Sequence, residues 1–252
     1  MKRFFLLTAG RTGSTAVLDS LNKLPSVVAL QEPFLKGRDP KEGLKTAQGS
    51  VPFFENHLNS QGMLSRGLSK LSERSHVESY LKIIEAKSTT RSTKAFGFKA
   101  LRHHFKDHRT LSNILLKRAY HCICLKRDAI RQSISLQVAR QRGLYNTTKD
   151  LKDTVPVHID MNELQKSVEN ETQRVALDVD EFKARGFPLI LVDYETFSDD
   201  PRKFFYEIQD LLDLPRDLPP ASDYKRVIKN LKDTISNYDE VQAFAVERGQ
   251  SL

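Results

Sequence analysis

The sequence predicts an α/β fold of three layers, a mostly parallel five-stranded sheet between helices, with a P-loop-like anion loop behind its first strand. Short, continuous apolar runs recur at Phe4 to Ala9, Val27 to Leu30, Ala95 to Leu101, Tyr120 to Leu125 and Leu189 to Val192. Such runs mark strands covered on both faces, and the stretches between them carry helical spacing. The first run stops at Gly10, turns through a polar knot and restarts with helical composition. With 252 residues, 29% charged and 39% apolar, the chain has the size and composition of one folded domain, 1–252.

The knot is the first informative segment. Gly10 and Gly13 can take positive φ and let a ligand approach the backbone, and Ser14 or Thr15 can cap a helix running through Ala16, Val17, Leu18 and Leu21. The first N–H groups of that helix have no internal partner, and its aligned dipoles place about half a positive charge there. A phosphate or sulfate fits such an end, and Arg11 adds a full charge. A Walker A loop would read GxxxxGK[ST]; no lysine precedes Ser14 or Thr15, so the usual grip on ATP with magnesium is missing.

Val27 to Leu30 is the second strand, and Glu32-Pro33-Phe34 opens the loop at its carboxyl end, the edge where open α/β sheets bind ligands. Residues 36–75 turn polar and glycine-rich, broken by apolar points at Phe53-Phe54 and Met63-Leu64, and read as an irregular lid or acceptor-facing insertion. Helical spacing returns at His76 to Ala86; Ala95 to Leu101 is the third strand, ending near Arg102, His103 and His104. Asp107 to Lys117 reads as one helix leading into the fourth strand, Tyr120 to Leu125.

Leu125 to Gly143 is the second informative segment. Lys126, Arg127 and Arg131 gather at a strand end and in the first turns of a helix that carries Ser133 and Ser135. Basic groups oppose the dipole there, so stability does not explain them and a bound anion would. Met161 to Arg185 then reads as a long helix, Leu189 to Val192 as the fifth strand, Lys203 to Leu214 as an amphipathic helix, and Leu231 to Glu247 as a last helix behind Lys225, Arg226 and Lys229. Glu195 reads as a carboxylate that braces loops.

The net charge of +8 calls for an anionic partner. Zinc-finger spacing, arginine-glycine tracts and aromatic RNA-binding signatures are absent from the sequence, which argues against nucleic acid. Cys122 and Cys124, two apart on a strand, project to one face and read as inert core residues. The opening MKRFFLLTAGR is too short in its apolar part for a signal peptide, and no run approaches the roughly 20 apolar residues of a membrane span. A cytoplasmic setting is the expectation, and His, Cys and Asp show no metal-ligand spacing.

GRTGST at Gly10 to Thr15, followed by a helix and by Gln31-Glu32-Pro33-Phe34, resembles the 5′-phosphosulfate loop of sulfotransferases that use 3′-phosphoadenosine 5′-phosphosulfate. Arg11, Gly13, Ser14 and Thr15 match the usual PRSGST or PKSGTT; Gly10 replaces the proline and Thr12 the serine. The family holds the 3′-phosphate with an arginine at a strand end and a serine eight residues on, the spacing of Arg127 and Ser135. The wider segment is similar to the bacterial nodulation-type enzymes that act on saccharides, with Tyr145 where those often carry tryptophan.

The resemblance implies in-line transfer of a sulfuryl group to an acceptor hydroxyl, on a small molecule or saccharide, with no metal. Arg11, the N–H groups of Thr12, Gly13, Ser14 and Thr15, and the Ser14 and Thr15 hydroxyls would hold the 5′-phosphosulfate, and Arg127 and Ser135 the 3′-phosphate. Glu32 is the implied base, with Lys99 a second cation. His103 is its rival, because cytosolic phenol and steroid sulfotransferases use a histidine two residues beyond a lysine; here it stands four beyond Lys99. A P-loop-like metabolite kinase and a non-catalytic nucleotide- or RNA-binding module are the alternatives.

Overall fold

The structure, a computed structural model, describes residues 1–60, 70–149 and 155–252. In chain order it holds β1 (Lys2–Thr8), α1 (Ser14–Asn22), β2 (Val27–Leu30), β3 (Gly43–Thr46), β4 (Gly49–Pro52), α2 (Phe54–Ser60), α3 (Lys70–Ser88), β5 (Ala95–Leu101), α4 (Arg102–Asp107), α5 (Leu111–Lys117) and β6 (Tyr120–Lys126). There follow α6 (Ala129–Arg142), α7 (Met161–Ala184), β7 (Leu189–Asp193), α8 (Tyr194–Asp199), α9 (Pro201–Leu211), α10 (Leu231–Thr234) and α11 (Tyr238–Glu247). Five strands form one parallel sheet in the order β2-β5-β1-β6-β7, and β3 and β4 form a separate antiparallel hairpin.

Alternation along β1 divides the core between the two faces of the sheet. Phe5 and Leu7 join Phe98, Tyr80, Leu115 and Phe182 on the side of α2, α3, α5 and α7, while Phe4 and Leu6 join Val17, Leu21, Phe204 and Ile208 on the side of α1 and α9. These are the three expected layers. Phe4 stands opposite Gly97 on β5, and a Cβ at Gly97 would lie 2.6 Å from the Phe4 ring, so the close strand approach there requires glycine. Cys122 and Cys124 lie in the first of these clusters as free thiols, and burial pushes the Cys124 thiol up to about 12.

Three segments depart from the sequence reading. Residues 36–75, expected to be irregular, carry the β3–β4 hairpin and α2 where they are described, and Met63-Leu64 lies outside the described residues. The helix expected over 107–117 starts later, as α5 at Leu111: Asp107 instead ends α4, and His108 stops that helix with φ −122° and ψ 83°, its ring packed at 5.5 Å from Phe34 and 5.0 Å from Phe54. The last helix is broken, because Ile235 turns extended and bridges to Val157, with Val157 N–H donating to Thr234 O at 2.8 Å. Tertiary pairing outweighs helical spacing at both breaks.

Candidate functional site

Strand pairing assembles the site. β1 pairs with β6 in a register that sets Leu7 against Cys124, so the loops that leave both strands emerge side by side at their carboxyl ends. On its other flank β1 pairs with β5, Leu6 against Lys99, and β5 pairs with β2, Leu30 against Phe98. Chain order reverses about β1, which makes this edge the crevice of a doubly wound sheet. Glu32, Lys99, the Gly10–Thr15 loop and Arg127 therefore come together from four segments remote in sequence.

In the first loop Gly13 adopts φ +80° and its carbonyl accepts from Ala16 N–H at 3.0 Å and Val17 N–H at 3.2 Å, starting α1 with its first amides free of helical partners. A Cβ on Gly13 would lie 2.0 Å from Cε2 of Tyr194, so glycine is needed for space as well as for φ. Thr12 does not face the cleft with its side chain; the buried hydroxyl donates to Ala9 O at 3.1 Å and contacts Thr8 Oγ1, bracing the loop from inside. Gln132 on α6 adds a second brace, its buried amide donating to Gly10 O at 2.9 Å and to Glu171 on α7 at 3.0 Å.

Arg127 leaves the end of β6 and donates from Nη1 to the Arg11 carbonyl at 2.9 Å, with its guanidinium 4.8 Å from the Tyr194 ring centroid. Asp128 caps α6, accepting from Arg131 N–H at 2.8 Å, and its own N–H donates to Glu195, both carboxylate oxygens lying at 3.2 Å. Glu195 is thus a brace, as expected; burial pushes its carboxyl up, opposed by that N–H. Arg11 donates from Nε to Ser135 Oγ at 3.2 Å and from Nη1 to the Tyr145 carbonyl.

The two anion grips, placed by the sequence reading at opposite ends of one ligand, are therefore in contact through Arg11 and Ser135. Burial, then the like charge of Arg127, holds the Arg11 guanidinium below its usual range; burial does the same to Arg127. Neither is ion-paired with a carboxylate among the described residues, and Nε of Arg127 is buried without a hydrogen-bond partner. Two poorly solvated cations and an orphaned donor, facing the amides at the start of α1, form a donor set that fits a multiply charged anion.

Glu32 and Lys99 form an ion pair at 2.6 Å, their side chains 18% and 9% exposed. Glu32 holds φ 40°, and its carbonyl accepts from Leu35 N–H at 3.0 Å to close the turn. His103 follows β5 but is exposed on α4, edge-on to His104 at 4.5 Å, and does not line the cleft. The carboxylate, not the histidine, shares the cleft with the Gly10–Thr15 loop.

A cleft of ≈ 320 Å³ is lined by Arg11, Gly13, Ser14, Thr15, Arg127 and Ser135 together with Glu32 and Lys99. Lys225 and Arg226 also line it, tied down by Lys225 N–H donating to Thr147 O at 2.8 Å. Tyr194 and Tyr224 line it too and were given no role in the sequence reading. A tyrosine directly after the last buried strand was the available signal for Tyr194; Tyr224 sits in a segment without periodicity and gave none. A second chamber opens beyond Glu32 and Lys99, sharing Thr15, Asn146 and Tyr224 with the first.

No protein-family model matches the sequence, and no curated protein matches it. Among solved structures the chain is similar to a sulfotransferase from Alicyclobacillus acidocaldarius, at 11% identity and TM-score 0.50 over 100% of this chain and 97% of that one. It is similar also to the sulfotransferase domain of the curacin biosynthetic pathway, at 12% identity and TM-score 0.50 over 100% and 99%, and to a sulfotransferase from Mycobacterium avium, at 13% identity and TM-score 0.50 over 98% and 76%. No helix among the described residues is long and apolar enough to cross a membrane. The chain has the three-layer α/β fold found in these sulfotransferases.

Proposed function

We propose that this chain is a sulfotransferase that moves a sulfuryl group from 3′-phosphoadenosine 5′-phosphosulfate to an acceptor hydroxyl, on a carbohydrate or glycolipid. The observation that carries the reading is the meeting of Arg11, Arg127 and Ser135 in one cleft with the Glu32–Lys99 pair. The donor supplies a sulfuryl group on a phosphate leaving group. The amides of Gly13, Ser14 and Thr15 and the Ser14 and Thr15 hydroxyls hold its 5′ end, and Arg127 with Ser135 holds the 3′-phosphate. Arg11, whose backbone belongs to the loop and whose guanidinium reaches Ser135, serves both.

Glu32 takes the proton from the acceptor hydroxyl while that oxygen bonds to sulfur and the bond from sulfur to the 5′-phosphate oxygen breaks. Lys99 orients the carboxylate and sets positive charge beside the equatorial oxygens, where charge develops. No step needs a metal. The nodulation-type resemblance of Leu125 to Gly143 supports a saccharide acceptor, and the second chamber beyond Glu32 supplies room for one.

Glu32→Gln tests the assignment. With ³⁵S-labelled donor and an oligosaccharide panel, turnover falls by about 10²- to 10⁴-fold while adenosine 3′,5′-bisphosphate still binds. Turnover near that of the wild type removes Glu32 from the mechanism.

A further inference from the structure

The second chamber carries more information than its position. Its lining includes Arg38, Lys45 and Phe53 from the segment that bears the β3–β4 hairpin, alongside Glu32 and Lys99. Glu32 is the chamber's lining carboxylate, and Lys99 already neutralises it at 2.6 Å. The charges left over are both positive.

Lys45 lies on β3, exposed, with no ion pair to any described residue. Arg38 stands 5.9 Å from the Phe53 ring centroid, and among the described residues it meets the carboxylate of Glu42, at 3.6 Å with the two side chains 48% and 54% exposed. Such an exposed pair contributes little and yields readily to a better partner. The aromatic ring under Arg38 limits where the guanidinium can go, which suits a planar fork offered to a two-oxygen anion.

From this placement we infer that the acceptor is itself acidic: a saccharide bearing a carboxylate or sulfate ester that Arg38 and Lys45 bind while its hydroxyl reaches Glu32. The inference rests on the sulfotransferase reading for the identity of the acceptor as a saccharide, but its charge requirement comes from the chamber alone. A neutral sugar would leave Lys45 without a counter-charge and Arg38 with only its exposed contact to Glu42. An acidic one is selected by attraction and a neutral one by nothing in particular.

The test is calorimetric titration of the full chain, with and without saturating adenosine 3′,5′-bisphosphate. The probes are trigalacturonic acid, its methyl ester on the same skeleton, and a galactose trisaccharide with and without sulfate esters. At least one acidic trisaccharide binds tenfold or more tightly than its neutral counterpart, and which one does separates carboxylate from sulfate. Arg38→Ala/Lys45→Ala removes that preference and leaves bisphosphate affinity unchanged, because neither residue lines the donor cleft. Equal binding of acidic and neutral probes, binding of none, or a preference that survives the double substitution overturns the proposal. A wild-type chain that prefers the acid but ignores the bisphosphate sinks the sulfotransferase reading and leaves the acidic site standing.

Discussion

Arg11 and Glu32 are two of the four non-glycine residues held at positive φ among the described residues, at 65° and 40°. Side chains other than glycine rarely sit there, and a proline after Glu32 disfavours the conformation further. Strain of this kind costs about 1–3 kcal/mol per residue and persists where surrounding contacts fix it. Here the contacts are the bond from Arg127 to the Arg11 carbonyl and those of Phe54 N–H and Tyr80 OH to the Pro33 carbonyl, at 3.0 and 3.2 Å. A second residue-scale feature lies behind the site. Burial, then His103 and His108, depresses His104 to about 3; burial, then Lys36, depresses His108 to about 4, with Asp107 opposing in both and Glu55 in His108. Both histidines are neutral in the fold at pH 7, and below about 6.5 the unfolded chain binds protons that the folded chain refuses. Stability is then unaffected above that pH and falls as pH drops toward 4. Urea midpoints at pH 7 and pH 5 check this, and an unchanged midpoint contradicts the burial of neutral imidazoles.

At the scale of elements, the loop between β1 and α1 depends on a helix far away in the chain. Tyr194, the first residue of α8, lies against Gly13 on one side and Arg127 on the other, so the two anion grips share one aromatic spacer. Gly13→Ala meets both obstacles at once. Positive φ costs an alanine about 1–2 kcal/mol, and displacing the ring adds about 1–3 kcal/mol. A lowered thermal midpoint is expected together with weakened bisphosphate binding; a substitution without effect on either would show that the loop does not pack as described. The elements that carry the Gly10–Thr15 loop and Arg127 were legible in sequence, because buried parallel strands and glycine turns leave local marks at Phe4 to Gly13 and Tyr120 to Ser135. The β3–β4 hairpin was not, since its strands of four residues alternate weakly and carry glycine and proline. Nor was the break at Ile235, which depends on Val157, remote in the chain. The Glu32–Lys99 pair was half legible: each residue stood at the ligand edge, but their contact requires β2 to pair with β5, across an intervening hairpin and helices.

At the scale of the whole molecule, several of the basic residues behind the net charge of +8 gather at one edge of the sheet. Arg11, Arg127, Lys225 and Arg226 face one cleft, with Arg38 and Lys45 in the chamber beyond it. These six cations lie along a path leading from Arg11 and Arg127 past Glu32. The Gly10–Thr15 loop and the Arg127–Ser135 spacing leave local marks in the sequence; that segment 36–75 faces the cleft's neighbouring chamber was expected, but not which side chains line it, because Arg38, Lys45 and Phe53 gather only once the β3–β4 hairpin packs against α3. The central claim is that Arg11 and Arg127 serve one doubly phosphorylated adenosine. Calorimetry of adenosine 3′,5′-bisphosphate against ADP and against ATP with magnesium, on the wild type and on Arg127→Ala, tests it most directly. The bisphosphate is expected to bind in preference to both nucleotides, with that binding lost in Arg127→Ala by about 2 kcal/mol or more; preference for ATP with magnesium, or affinity indifferent to Arg127, would contradict it.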